Sequence, residues 1–166
     1  MDKEQVYEYL KEKGIRYEAI EHEAVFSVEQ AENLNLPNPE AGAKNLFLRD
    51  DKKRNYYLLT VRASLSVHLK EFQEKIGSRR LSFASEKDLF QMMKLTRGAV
   101  TPFGVMNDDA CIIKVYFDAF FEGKIISVHP NDNTSTVYLS CNDLVNLIQE
   151  HGNPVEFFSF GDSTIK

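Results

Sequence analysis

Apolar positions change their period several times along the chain, and each change marks an element. Val6, Tyr9 and Leu10 share one helical stripe with Lys13, and Gly14 stands where that helix must stop. Residues 15–20 alternate weakly, as a strand would. Ser27 is placed as an N-cap with Gln30 three positions on, a capping-box pattern, and the helix it opens carries Ala31 and Leu34 before Pro37 and Pro39 forbid its continuation. AKNLFLR at 43–49 and NYYLLTV at 55–61 read as two strands joined by the polar turn Asp50-Asp51-Lys52-Lys53, a hairpin.

Helical spacing returns from Ser66 with Val67, Leu69, Phe72 and Ile76, closed by Gly77. Ser85 caps a further short helix bearing Leu89, Phe90 and Met93. After a glycine- and proline-containing loop come three apolar runs at 110–117, 124–128 and 134–139. A helix then begins near Ser140, with Leu144, Leu147 and Ile148 on one face, and Gly152 and Pro154 end it. A last strand is expected at 155–160. Strands and helices are interspersed without a regular βαβ alternation or repeat. The expectation is one α+β domain over residues 1–166, built on a central mixed, mostly antiparallel sheet flanked by helices.

Composition narrows the class. Among 166 residues, 43% are hydrophobic and 27% charged, which suits a folded globular domain and excludes disorder and coiled coil. No run approaches the ~18 apolar residues of a membrane span. The charged opening, MDKEQVYEYLKEKG, does not resemble a signal peptide, so a cytoplasmic protein is expected. Two cysteines, Cys111 and Cys141, are too few for a disulfide framework or a structural zinc site. Both read as structural thiols, with a small allowance at Cys141, where a helix N-terminus can activate sulfur.

The net charge of -5 hides an asymmetry. Residues 44–97 carry 13 basic against 6 acidic groups, whereas both flanking segments are acidic. A local basic surface, more than the total, governs association with a polyanion. A solvated basic face explains the same numbers.

Walker A, GxGxxG, HExxH and GxSxG signatures are absent, and His22, His68, His129 and His151 show no metal-ligand spacing. Three local patterns remain. In GAKNLFLRD, Lys44 and Asn45 interrupt the head of an apolar strand. Lys44 is either a surface lysine at a strand edge or a cation lining a cleft that holds a phosphate or carboxylate. In GAVTPFG, glycines and a proline shape a loop from Gly98 to Pro102 whose backbone N–H groups could hold an oxyanion; an ordinary turn has the same composition. In HPNDNTST, His129 leads a segment of amide and hydroxyl groups, otherwise a hairpin loop capping its own backbone.

Together and in this order, these patterns resemble the YbaK / prolyl-tRNA-synthetase-associated editing domain family over essentially the whole chain. The likeness is closest to the freestanding ProX or PrdX branch, the ProXp-ala type. The resemblance implies a mixed α+β fold and hydrolysis of alanine wrongly attached to proline tRNA. It implies that Lys44 is the central functional lysine and that Asn45 lines the same site. Gly98, Ala99, Val100, Thr101 and Pro102 would form the family's GxxxP loop, and His129 would border the pocket. Direct attack by water, helped by the ribose hydroxyl, is expected, with no metal and no cofactor. Lys52, Lys53, Arg54, Arg79 and Arg80 are candidates for acceptor-stem phosphates. The implied partners are Ala-tRNA for proline and prolyl-tRNA synthetase, with no membrane. Two rivals stay open: deacylation of another mischarged tRNA, such as Cys-tRNA for proline, and a non-catalytic module that binds tRNA or a synthetase.

Overall fold

The protein was analysed as a computed structural model that describes residues 1–161, with the backbone alone for Val28. The elements run α1 (Lys3–Glu12), β1 (Tyr17–Glu21), α2 (Val28–Glu32), β2 (Ala43–Asp50), β3 (Tyr56–Arg62), α3 (Leu69–Ile76), β4 (Leu81–Phe83), α4 (Glu86–Met93), β5 (Ile113–Asp118), β6 (Ile125–Val128), β7 (Ser135–Ser140), α5 (Cys141–His151) and β8 (Val155–Phe158).

The strands form two sheets. The larger has the order β4-β2-β3-β5-β8, antiparallel across β4-β2-β3 and parallel across β3-β5-β8; the smaller, β1-β7-β6, is antiparallel throughout. The α+β class and the mixed sheet match the sequence reading, and the second sheet is an addition to it. A single bridge, Gly42 to Ser127, joins the two at their edges. Gly42 suits this junction because a Cβ there would lie 3.1 Å from the Pro39 carbonyl oxygen.

The main core fills the space between the sheets. Phe47, Leu58, Val115 and Phe117 of the larger sheet meet Ile126, Val128, Val137 and Leu139 of the smaller. Helices α1 (Val6, Leu10), α4 (Leu89, Met93) and α5 (Leu144, Leu147, Ile148) close it. A second core lies on the opposite face of the larger sheet, where Phe72 of α3 packs edge-on against Tyr116, with Leu48, Leu59 and Val61 beneath. Burial of this apolar surface is the main driving force for the assembly.

Helix starts follow the sequence closely. Ser85 and Asp88 form a capping box on α4, and Ser140 caps α5. At α2 the box is only half made: Ser27 accepts from the Gln30 N–H, but the Gln30 side chain accepts from Phe26 instead of Ser27. That helix ends at Glu32, short of Leu34, and α3 begins at Leu69, beyond Ser66. The run from 110 becomes a strand only at Ile113, because Cys111 sits in a left-handed turn (φ 52°).

Candidate active site

A cleft of about 740 Å³ opens where the two sheets part. Its floor is Gly42 with Ala43 and Asn45 of β2, and Arg62, Ala63 and Ser64 at the end of β3. One wall is Ser127, Val128 and His129 with Thr136 and Tyr138 of β7. The other is the segment from Ala31 to Glu40. Tyr138 donates from its hydroxyl to the Pro37 carbonyl (2.7 Å), which ties the two walls together. Asn35 and Asn38 take the left-handed turns this wall needs (φ 52° and 51°), a conformation asparagine tolerates.

Asn45 is held at both ends of its carboxamide. The Thr60 hydroxyl donates to its Oδ1 (2.6 Å), and its Nδ2 donates to the Val100 carbonyl (3.1 Å). Thr60 is fully buried and directly opposite Asn45 in the β2-β3 register. Two bonds leave one Nδ2–H without a partner among the described residues, so Asn45 offers the cleft a single fixed donor.

His129 is fixed as firmly. Its Nδ1 lies 2.9 Å from the Ser135 carbonyl oxygen, which can only accept, so Nδ1 carries the proton and Nε2 is the free lone pair. Burial pulls the imidazole below its ordinary range, and His22 reinforces this, while the bond to Ser135 and the charge of Asp132 oppose it. The ring is therefore neutral near pH 7.

The Gly98–Pro102 loop stands behind these two groups and contributes no residue to the cleft lining. Its Val100 carbonyl receives Asn45, and the next residue, Thr101, donates from its hydroxyl to the His129 carbonyl (2.5 Å). Ala99, Thr101 and Pro102 are buried. The Val100 and Thr101 N–H groups have no acceptor among the described residues. Gly98 abuts Phe26 and Asn133, where a Cβ would meet the Phe26 ring at 2.9 Å.

Lys44 and Asn45 do not come together. Asn45 shares a face with Thr60, whereas Lys44 pairs with Val61 of the second core, so its side chain leaves from the opposite face of β2, outside the cleft lining. Lys44 is half-buried, has no hydrogen-bond or ion-pair partner among the described residues, and burial alone draws its ammonium below the ordinary lysine range.

The basic candidates do gather. Lys52, Lys53 and Arg54 occupy the β2-β3 turn, and Arg79 and Arg80 lead into β4, which pairs with β2. Arg79 grips Asp51 through Nε and Nη2 (2.5 and 3.1 Å), joining the two segments. This patch lies at the far end of β2 from Asn45, roughly 23 Å away at 3.3 Å per residue.

The sequence reading took Thr136 as the last residue of HPNDNTST and did not single out Thr60, Arg62 or Ser127. Arg62 brings a cation to the cleft, its Nε donating to the buried Asp118 (2.8 Å) and its guanidinium lying over Phe120. None of these last three carries a local motif; each matters through a partner distant in sequence. Cys141 is no nucleophile: burial, with Asp118 and Glu122 nearby, pushes its thiol up to about 12. Among the described residues, no three His, Cys, Asp or Glu side chains converge as a metal-binding group, and no helix is long and apolar enough to cross a membrane.

The sequence model of the aminoacyl-tRNA editing domain matches residues 22–147, a span that includes Asn45, the Gly98–Pro102 loop and His129. The chain belongs to the aminoacyl-tRNA editing family. Among curated relatives of this editing domain, prolyl-tRNA editing protein ProX of Acetoanaerobium sticklandii is 45% identical over 152 residues, covering 91% of this chain and 93% of that one. Prolyl-tRNA synthetase associated domain-containing protein 1 of Bos taurus is 33% identical over 151 residues, covering 89% and 88%. In fold, the editing domain superposes on a crystal structure of a candidate trans-editing enzyme for prolyl tRNA synthetase with TM-score 0.72 at 18% identity, covering 96% of this chain and 97% of that one.

Proposed function

We propose that this protein is a cytoplasmic deacylase that hydrolyses the ester of alanine mischarged on proline tRNA, and that residues 1–166 form one editing domain. The observation that carries the reading is the pinned carboxamide of Asn45, a fixed donor that lines the same cleft as His129 with its neutral imidazole, a cleft large enough for an aminoacyl nucleoside. The identity to ProX supports proline tRNA as the carrier. Packing of Val6 and Leu10 of α1 into the main core, outside the matched span, supports a single domain.

Ester hydrolysis needs a donor where negative charge develops on the carbonyl oxygen, and Asn45 Nδ2 supplies it. Water adds to the carbonyl carbon as the C–O bond to the ribose breaks, and its proton passes to the departing ribose oxygen. His129 Nε2 orders the 3′ end or the attacking water. The Gly98–Pro102 loop sets these two groups relative to each other. Lys52, Lys53, Arg54, Arg79 and Arg80 meet the acceptor stem. At 3.4 Å per nucleotide step, the ~23 Å to that patch is about seven steps, which suits stem phosphates. Prolyl-tRNA synthetase is the partner that supplies mischarged tRNA.

Alanine editing answers a selection problem. A synthetic site shaped for proline excludes a smaller amino acid only by lost contacts, ~1–3 kcal/mol per methylene, so a second hydrolytic site is needed. The decisive experiment is a side-by-side deacylation assay with Ala-, Cys- and Pro-tRNA for proline. Selective loss of alanine is expected. Preferential hydrolysis of the cysteinyl ester transfers the specificity, and tRNA binding without hydrolysis of any ester makes the protein a binding module.

A further inference from the structure

His22 follows β1, and both of its ring nitrogens are engaged. Nδ1 lies 2.8 Å from the Glu23 carbonyl oxygen, which can only accept, so Nδ1 bears the proton. Nε2, 2.9 Å from Thr136 Oγ1, is then a lone pair in the neutral ring and takes the hydrogen of the Thr136 hydroxyl. Thr136 thus turns its single donor away from the cleft that it lines and presents oxygen lone pairs only. The β1-β7 register sets Thr136 opposite Ile20, two residues before His22. The β6-β7 register pairs Val128 with Val137, and one step further it carries His129 towards Thr136. The His22 and His129 rings are 6.4 Å apart. This stretch of wall therefore shows two acceptors, Thr136 Oγ1 and His129 Nε2, while Asn45 on the floor shows a donor.

An aminoacyl ester has the complementary pattern: a carbonyl oxygen that accepts and, one carbon away, an α-ammonium that donates. We infer that Thr136 Oγ1, oriented by His22, receives the α-ammonium of the substrate, so that the enzyme acts on aminoacyl-tRNA with a free amine and rejects the N-acylated form. Thr136 is a binding residue in this scheme and His22 a positioning residue. The inference rests on the deacylase reading above. An N-acyl amide carries no charge, has one N–H in place of three, and places a bulky group against this wall.

The test compares single-turnover hydrolysis of Ala-tRNA and N-acetyl-Ala-tRNA, prepared on the same proline tRNA. The wild-type protein should prefer the free amine by roughly tenfold to a hundredfold, the range for a hydrogen bond to a charged group. Thr136→Val keeps the side-chain volume but loses the oxygen, and should narrow that preference by about tenfold through slower alanyl hydrolysis. Thr136→Ser should restore most of it, and His22→Ala should narrow it part-way by weakening Ala-tRNA binding more than the chemical step. Equal wild-type rates on the two esters overturn the inference, as does a Thr136→Val protein with an unchanged preference, or with both rates lowered in proportion as its melting temperature falls. Hydrolysis of neither ester by the wild-type protein overturns the deacylase reading itself, and this inference with it.

Discussion

Replacing Thr60 by valine tests whether Asn45 works because it is pinned. Thr60 is fully buried and its hydroxyl donates to Asn45 Oδ1 at 2.6 Å. Valine fills the same volume and suits a strand, so neither a cavity nor a propensity loss enters. What remains is one acceptor deprived of its donor, at about 1–3 kcal/mol. For a chain of this length that is a fall in melting temperature of roughly 2–12 °C. Activity should fall as well, because Asn45 is then held only through Nδ2 and its free N–H is no longer aimed. Asn45→Ala removes the donor outright, and its rate should drop by about 10²–10³, the range for losing one oxyanion donor. The double variant separates aim from mere presence. Without Asn45, Thr60→Val should cost no further activity, and it should recover stability by removing a hydroxyl that has lost its acceptor. Single-turnover deacylation and thermal melts of the four proteins form the cycle. Rate losses that multiply independently, or a Thr60→Val protein at the wild-type rate, refute the reasoning.

Three other outcomes are expected. Because burial lowers the His129 pKa, the native state binds fewer protons than the unfolded chain, so as pH falls from the ordinary value near 6.5 towards the lower native one, stability should decline, with activity failing on the same acid limb; His129→Asn should flatten both profiles, measured by melts and rates across pH 4.5–8. Reversing charge at Arg79 and Arg80 should raise the apparent Michaelis constant more than it lowers turnover and reduce the salt dependence of tRNA binding, and unchanged kinetics at low salt would remove that patch from the binding surface. Lys44→Met keeps the stem and removes an ammonium that is desolvated without a partner among the described residues, so its melting temperature should hold or rise; because the side chain leaves β2 on the face away from the cleft, deacylation should stay near the wild-type rate, and a tenfold loss would return Lys44 to the site.

Much of the fold was readable because its signals are local. The β2-β3 hairpin follows from two apolar runs around a four-residue polar turn, and α4 and α5 follow from serine caps at 85 and 140. β4 was not readable: three residues long and paired on one side, it leaves Phe83 exposed and shows no alternation long enough to notice. The division into two sheets was hidden for another reason. β1, β6 and β7 have the same period as the other strands, and only the Gly42–Ser127 contact says where one sheet ends. At the site, motif spacing singled out Asn45 and His129. It also grouped Lys44 with Asn45, although the period of two that defines a strand sends neighbouring side chains to opposite faces. Thr60, Thr136 and His22 gain their roles from cross-strand neighbours, which no short window contains.

The three motifs depend on one another more than on the substrate. Thr60 holds Asn45, Asn45 holds Val100, Thr101 holds the backbone of His129, and Ser135 fixes the His129 ring. The central link is a pair of adjacent loop residues pointing in opposite senses, one accepting from the floor of the cleft and the next donating to its wall. Their separation along the chain therefore helps to set the distance between the donor on β2 and the acceptor beyond β6, two groups on different sheets that the Gly42–Ser127 bridge and the main core also hold together. The same geometry accounts for the glycine at 98: Phe26 and Asn133 occupy the space a Cβ would need, and a loop displaced there would move both groups at once. In the proposed deacylase this loop acts as a spacer between the two sheets of the site.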